Sequence, residues 1–88
     1  MKELTIGHFI IKRTDRTGHV DYYMNAKSVN KISGWTYNQQ NARVFTGKAV
    51  DYALGRIRDV ASKEEWDKSY YGPYFFDIIP VIIKGVEL

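Results

Sequence analysis

The stretch Ala42-Arg43-Val44-Phe45-Thr46-Gly47-Lys48-Ala49-Val50-Asp51-Tyr52-Ala53-Leu54-Gly55-Arg56-Ile57-Arg58-Asp59-Val60-Ala61 decides the fold. Up to Phe45 it reads as a short strand. From Gly47 the apolar residues recur every three or four positions. Ala49, Ala53, Ile57 and Val60 form one stripe, flanked by Val50 and Leu54, as in a helix laid on an apolar surface. The two alanines let that helix sit close to a sheet. Thr46, at the change of period, is the predicted N-cap, its hydroxyl accepting from a first-turn amide. Gly55 weakens the helix middle by about 1 kcal/mol relative to alanine and is read as a point of close packing.

Upstream, Leu4 to Lys12 is rich in β-branched and aromatic residues. Leu4, Ile6 and Ile10 fall on one face, and Phe9 and Ile11 on the other. Thr14-Asp15-Arg16-Thr17-Gly18 is a turn, with Asp favouring initiation and Gly supplying positive φ. Val20 to Met24 alternates again, with Val20, Tyr22 and Met24 assigned inward and Asp21 and Tyr23 outward. The pair is a β-hairpin. Residues 25–41 read as a meandering connection with a short helical turn or strand near Trp35.

Downstream, Ser62-Lys63-Glu64-Glu65 matches a capping box. It introduces a short second helix from Glu64 to Lys68 with Trp66 turned inward. Asp77 to Leu88 is the last strand, and Pro80, lacking an N–H, belongs at an edge or bulge. The order β-β-β-α-β predicts a single α+β domain over residues 1–88. It consists of a small, mostly antiparallel sheet with one main helix on one face. The predicted core is Ile6, Ile10, Tyr22, Val44, Ala49, Ala53, Ile57, Val60, Val81 and Ile83. Ile78 to Val86 is apolar on both faces, so the strand is either central or paired with another copy. Pro80 disfavours the central position, which favours a homodimer.

Composition narrows the function. The 88 residues hold no cysteine, so disulfides, thiolate metal sites and cysteine nucleophiles are excluded. A secreted domain this small would need such staples, which favours a reducing cytoplasm. A signal peptide is not expected, because Glu3 and His8 interrupt the N-terminal stretch, and a membrane span is not expected, because no apolar run approaches roughly 20 residues. The net charge is +3. Residues 1–43 carry seven Lys/Arg against three acids, and residues 44–88 carry six against seven. That asymmetry permits contact with nucleic acid or an acidic protein without demanding it.

Two rival surfaces emerge. Between Lys68 and Asp77 the chain reads Ser-Tyr-Tyr-Gly-Pro-Tyr-Phe-Phe. Tyrosines on a turn give large contact area at low entropic cost, so Tyr70, Tyr71, Tyr74 and Phe75, supported by Trp66, are the candidate partner-binding residues. The plainer reading is that this loop folds back and plugs its own core. The rival surface is the hairpin tip, where Lys12, Arg13 and Arg16 with Tyr23 could grip phosphates and stack bases. Its plainer reading is a solvated hairpin whose charges discourage edge pairing. The scattered basic residues elsewhere, including Arg56 and Arg58 about 200° apart around the helix, add nothing to it.

Chemistry is sparse. His8 and His19 lie at opposite ends of the predicted hairpin strands and do not converge. Glu64, Glu65 and Asp67 suit a helix start, and the glycines are isolated rather than gathered in a phosphate loop. The expectation is a binding module, with no catalytic residue, metal or cofactor.

Tyr22-Tyr23, Gly34-Trp35, Ala42-Arg43-Val44-Phe45-Thr46, Ala49 with Ala53, and Pro80-Val81 together resemble the pattern of small accessory proteins encoded by bacteriophages and prophages. The resemblance covers most of the chain through weak motifs. It implies a phage-type protein that binds and modulates a bacterial host protein, a component of a defence system among them, and it carries over no catalytic residue.

Overall fold

A computed structural model describes residues 8–24 and 34–81. It has the expected α+β architecture. Strands β1 (Phe9–Thr14), β2 (Val20–Tyr23), β3 (Trp35–Thr36) and β4 (Phe75–Pro80) form one antiparallel sheet in the order β3-β2-β1-β4. Helix α1 (Gly47–Lys63) lies across one face. The predicted Ile6 and Ile83, and the outer ends of the first and last predicted strands, lie outside the described residues.

The hairpin forms because Asp15 closes its turn. The Asp15 Oδ1 accepts from the Thr17 amide at 2.8 Å, the Thr17 hydroxyl at 2.7 Å and the His19 amide at 3.0 Å. Gly18 takes a φ of +94°, the conformation that makes glycine the right residue there. The register then sets Arg13 opposite Asp21 and Lys12 opposite Tyr22.

The inward and outward faces of β2 are the reverse of the expectation. Tyr23 is buried, while Tyr22 is only half-buried. The helix-covered face carries Phe9 and Ile11 from β1, Tyr23 from β2, Trp35 from β3 and Phe76 and Ile78 from β4. Alternation misled here because Asp21 shares that face. A charged residue was assigned to solvent, whereas it is paired with Arg13. Ile10 is also buried, on the opposite face from Ile11.

The helix shows a related rotation. Val50, Ala53, Leu54 and Ile57 are buried, and Val60 packs beside them. Ala49 is exposed, because turning Val50 and Leu54 inward removes more apolar area from water than turning an alanine in. Gly55 is exposed, and a Cβ there would meet nothing within 4 Å, so it marks no close packing. Thr46 is the N-cap in backbone terms, but its hydroxyl makes no capping bond.

Three further boundaries differ. The third strand is Trp35–Thr36 rather than residues 42–45. The latter attach through a single bridge, with Phe9 N to Phe45 O at 2.8 Å and Phe45 N to Phe9 O at 2.7 Å. Val44 is consequently exposed. The capping box at Ser62 does not form, because α1 runs through it to Lys63. The chain instead turns at Glu65, which adopts φ 54°, before the short 3-10 turn Trp66–Lys68. Trp66 does face the core, as expected. Pro80 lies in β4, an edge strand among the described strands, where its missing N–H is tolerated.

Candidate functional site

The two rival surfaces turn out to be neighbours. The hairpin tip is bonded to the aromatic loop that follows Trp66. The Arg16 amide donates to the Tyr71 carbonyl at 2.9 Å, and Arg16 Nη2 donates to the Tyr70 carbonyl at 3.0 Å. The Arg16 guanidinium lies 5.7 Å from the centre of the Tyr70 ring.

The loop is also fixed from within. Ser69 donates through its hydroxyl to the Trp66 carbonyl at 2.7 Å, and the Gly72 amide reaches the Ser69 carbonyl at 3.1 Å. Gly72 is buried, and a Cβ there would overlap the Trp66 carbonyl oxygen and approach the Asp67 backbone to 2.8 Å. Only glycine fits such an approach.

This bracing divides the aromatic run. Trp66 and Tyr74 are half-buried, 5.5 Å apart and edge to face. Phe76 packs on the core. Tyr70, Tyr71 and Phe75 point outward, with exposures of 74%, 48% and 60%. The loop is therefore divided between core and surface. Its inward rings extend the core, and its outward rings remain available.

Arg13 is the pivot between the two surfaces. Its Nε and Nη2 donate to the two carboxylate oxygens of Asp21 at 2.9 and 2.6 Å. Its guanidinium sits 3.9 Å from the Trp35 ring centre, 4.7 Å from Tyr74 and 5.4 Å from Trp66. A guanidinium held by a bidentate carboxylate and three ring faces has its charge matched locally.

Of the candidate nucleic-acid residues, Arg13 is thus engaged inside the protein. Tyr23 is buried, contrary to the outward assignment, and burial raises its phenol above the usual 10.0. Lys12 lies on the opposite sheet face from Arg13, and Arg16 is exposed but tethered to the loop. The four do not gather into one patch.

At Arg13 opens a cleft of about 380 Å³, lined by Trp35, Tyr37, Tyr71 and Tyr74 together with Arg13 itself, Asp15, His19 and Asp21. Tyr37 is 79% exposed at its rim. Hairpin pairing could have announced part of this, since residues equally spaced about Thr17 face each other and bring Arg13 to Asp21. Nothing in the sequence announces that Tyr37, far from both, completes the wall.

His19 is exposed at the turn, as expected, with its Nδ1 3.8 Å from Asp15 Oδ2. Among the described residues no cluster of three or more His, Cys, Asp or Glu could hold a metal ion. Among those same residues, no helix is long and apolar enough to cross a membrane. No protein-family model matches the chain, and no curated protein or solved structure matches it either.

Proposed function

We propose that this chain is a non-catalytic accessory protein of phage type. In this reading it binds and modulates a bacterial host protein in the host cytoplasm through the surface made by Tyr70, Tyr71 and Phe75. One observation carries the reading: Tyr70 and Tyr71 stand exposed on a loop that Arg16 fastens to the hairpin tip by hydrogen bonds from its amide and its side chain, and Phe75 stands exposed at the start of β4. Exposed aromatic clusters mark contact surfaces more often than chance. A braced loop loses little conformational freedom on binding, so more of its contact energy appears as affinity. The phage character rests on the resemblance described above, which puts defence-system components first among the partners to try.

The test is affinity capture from a bacterial lysate, with and without nuclease. A captured host protein should survive nuclease and moderate salt. The double change Tyr70→Ala with Phe75→Ala should weaken it by at least about tenfold, as loss of interface anchors does. Capture that vanishes on nuclease treatment and falls steeply with salt would replace this reading with nucleic-acid binding.

A further inference from the structure

The cleft beside Arg13 has a chemistry of its own. Four aromatic side chains, Trp35, Tyr37, Tyr71 and Tyr74, line it, and ring faces attract cations. Its charges do not cancel. Asp21 is matched by the bidentate Arg13. That leaves the Asp15 carboxylate. Asp15 Oδ1 is saturated by three donors from the turn. Oδ2 has no hydrogen bond among the described residues, its neighbour being His19 Nδ1 at 3.8 Å. The cleft therefore offers ring faces and one open carboxylate oxygen to a cation.

The protein already shows which cation such a setting suits. Arg13, itself part of the lining, is gripped by a carboxylate and by the rings of Trp35 and Tyr74. The cleft offers a second such setting, with Asp15 in the place of Asp21 and the exposed rings of Tyr37 and Tyr71 in the place of Trp35 and Tyr74. At about 380 Å³ it lies at the small end of the range for ligand pockets, suited to a single side chain rather than a large molecule.

We propose that this cleft receives the guanidinium of an arginine side chain from the bound protein, stacked against the exposed rings of Tyr37 and Tyr71 and hydrogen-bonded to Asp15 Oδ2. This rests on the protein-binding reading above and names the chemistry of the partner: a segment that presents an arginine beside the surface touching Tyr70 and Phe75. The planar, weakly hydrated guanidinium suits a stacked site better than the compact ammonium of lysine.

The cleft is tested alone by titrating the full chain with N-acetyl-L-arginine amide while following the Trp35 indole and Tyr37 ring signals by NMR. The expected result is a saturable shift of both signals. It should be weakened about tenfold when neutral N-acetyl-L-citrulline amide replaces the arginine probe. Asp15→Asn, which keeps the Oδ1 acceptor of the turn, and Tyr37→Ala, at an exposed site, should each weaken arginine binding several-fold. Tyr52→Ala, at an exposed position on α1 away from the cleft, should leave it unchanged. Equal shifts from the citrulline probe, or no saturable shift from arginine, would overturn the proposal.

The captured host protein supplies the second arm. Asp15→Asn should lower its affinity about fivefold or more, whereas unchanged affinity would show that the partner's arginine is not seated there. The patch variant Tyr70→Ala with Phe75→Ala reads the protein-binding surface separately, so the cleft and the surface can fail independently.

Discussion

The two ends of the helix-covered sheet face are built on different physics. At one end, Ile11 and Tyr23 meet Val50, Ala53, Leu54 and Ile57 in an apolar core from which water is excluded. At the other, Arg13 and Asp21 occupy the same face beneath Trp66, Tyr74 and Trp35, the last of which also belongs to the apolar core. The first end is held by burial, which is non-directional and scales with area. The second is held by matched charges and ring faces, which are directional and leave a cleft where solvent enters. Stability is concentrated at the first end and available surface at the second.

The sharpest way to break that contrast is Ile57→Asp. Ile57 is 1% exposed in the centre of the apolar end. A carboxylate there has no partner, and the expected loss exceeds about 4 kcal/mol, enough to unfold a domain of this size. Circular dichroism should show no cooperative melt. A variant that keeps the parent melting temperature would mean that the core lies elsewhere.

At the other end, Arg13→Ala leaves Asp21, whose side chain is 17% exposed, without its ion pair. The expected destabilisation is about 1–3 kcal/mol, with the fold retained. Removing both partners in Arg13→Ala with Asp21→Ala should cost less than the single change, because no uncompensated charge remains. If Arg13→Ala unfolds the chain as completely as Ile57→Asp, the two ends are one cooperative core and the contrast drawn above is wrong.

What the sequence disclosed follows the same division. Helix α1, the hairpin and the α+β class were legible because they rest on periodicity and turn chemistry, both local in the chain. The face of β2 was misread because Asp21 looks like a solvent residue until the register sets it against Arg13. The strand at Trp35 was hard to read because two residues carry no period. Tyr70, Tyr71, Tyr74 and Phe75, with Trp66, stand out in the sequence as one group, of which Tyr74 and Trp66 are half-buried. Which of them turn inward depends on Gly72 pressing against the Trp66 backbone, a tertiary contact with no local signature. The cleft was out of reach for that reason also, since Asp15, Tyr37 and Tyr71 meet only after folding.

A smaller effect, of opposite sign, sharpens the comparison from the helix side. Gly55 lies on the exposed face of α1 with open space around its Cβ position. Gly55→Ala should therefore stabilise by about 0.5–1 kcal/mol, through helix propensity and a less flexible unfolded chain. Thermal melts of the two proteins decide it. A loss of stability would mean that a contact at Gly55 has been overlooked.

The smallest expected effect concerns the hairpin turn and depends on pH. Asp15 is held below its ordinary carboxylate value of 3.8 chiefly by the Thr17 hydroxyl. Partial burial opposes this, and the amides of His19 and Thr17 and the nearby His19 imidazole add to the lowering. A carboxyl whose folded value is depressed binds its proton more readily in the unfolded chain. Its contribution to stability is therefore complete above pH 3.8, and it fades as pH falls below 3.8 through the lower folded value. Asp15→Asn preserves the Oδ1 acceptor and removes the titration. The stability difference between the parent and this variant should be constant near neutrality and should shrink in acid below pH 3.8, with amide exchange at Thr17 and His19 rising in the parent over the same interval. The apolar end contains no titrating group in that range, so exchange at Ile11 and Ile57 should follow global unfolding alone. If acid loosens Ile11 and Thr17 together, the tip and the core respond as one unit. If it loosens Thr17 first, the turn that shapes the cleft opens independently of the core.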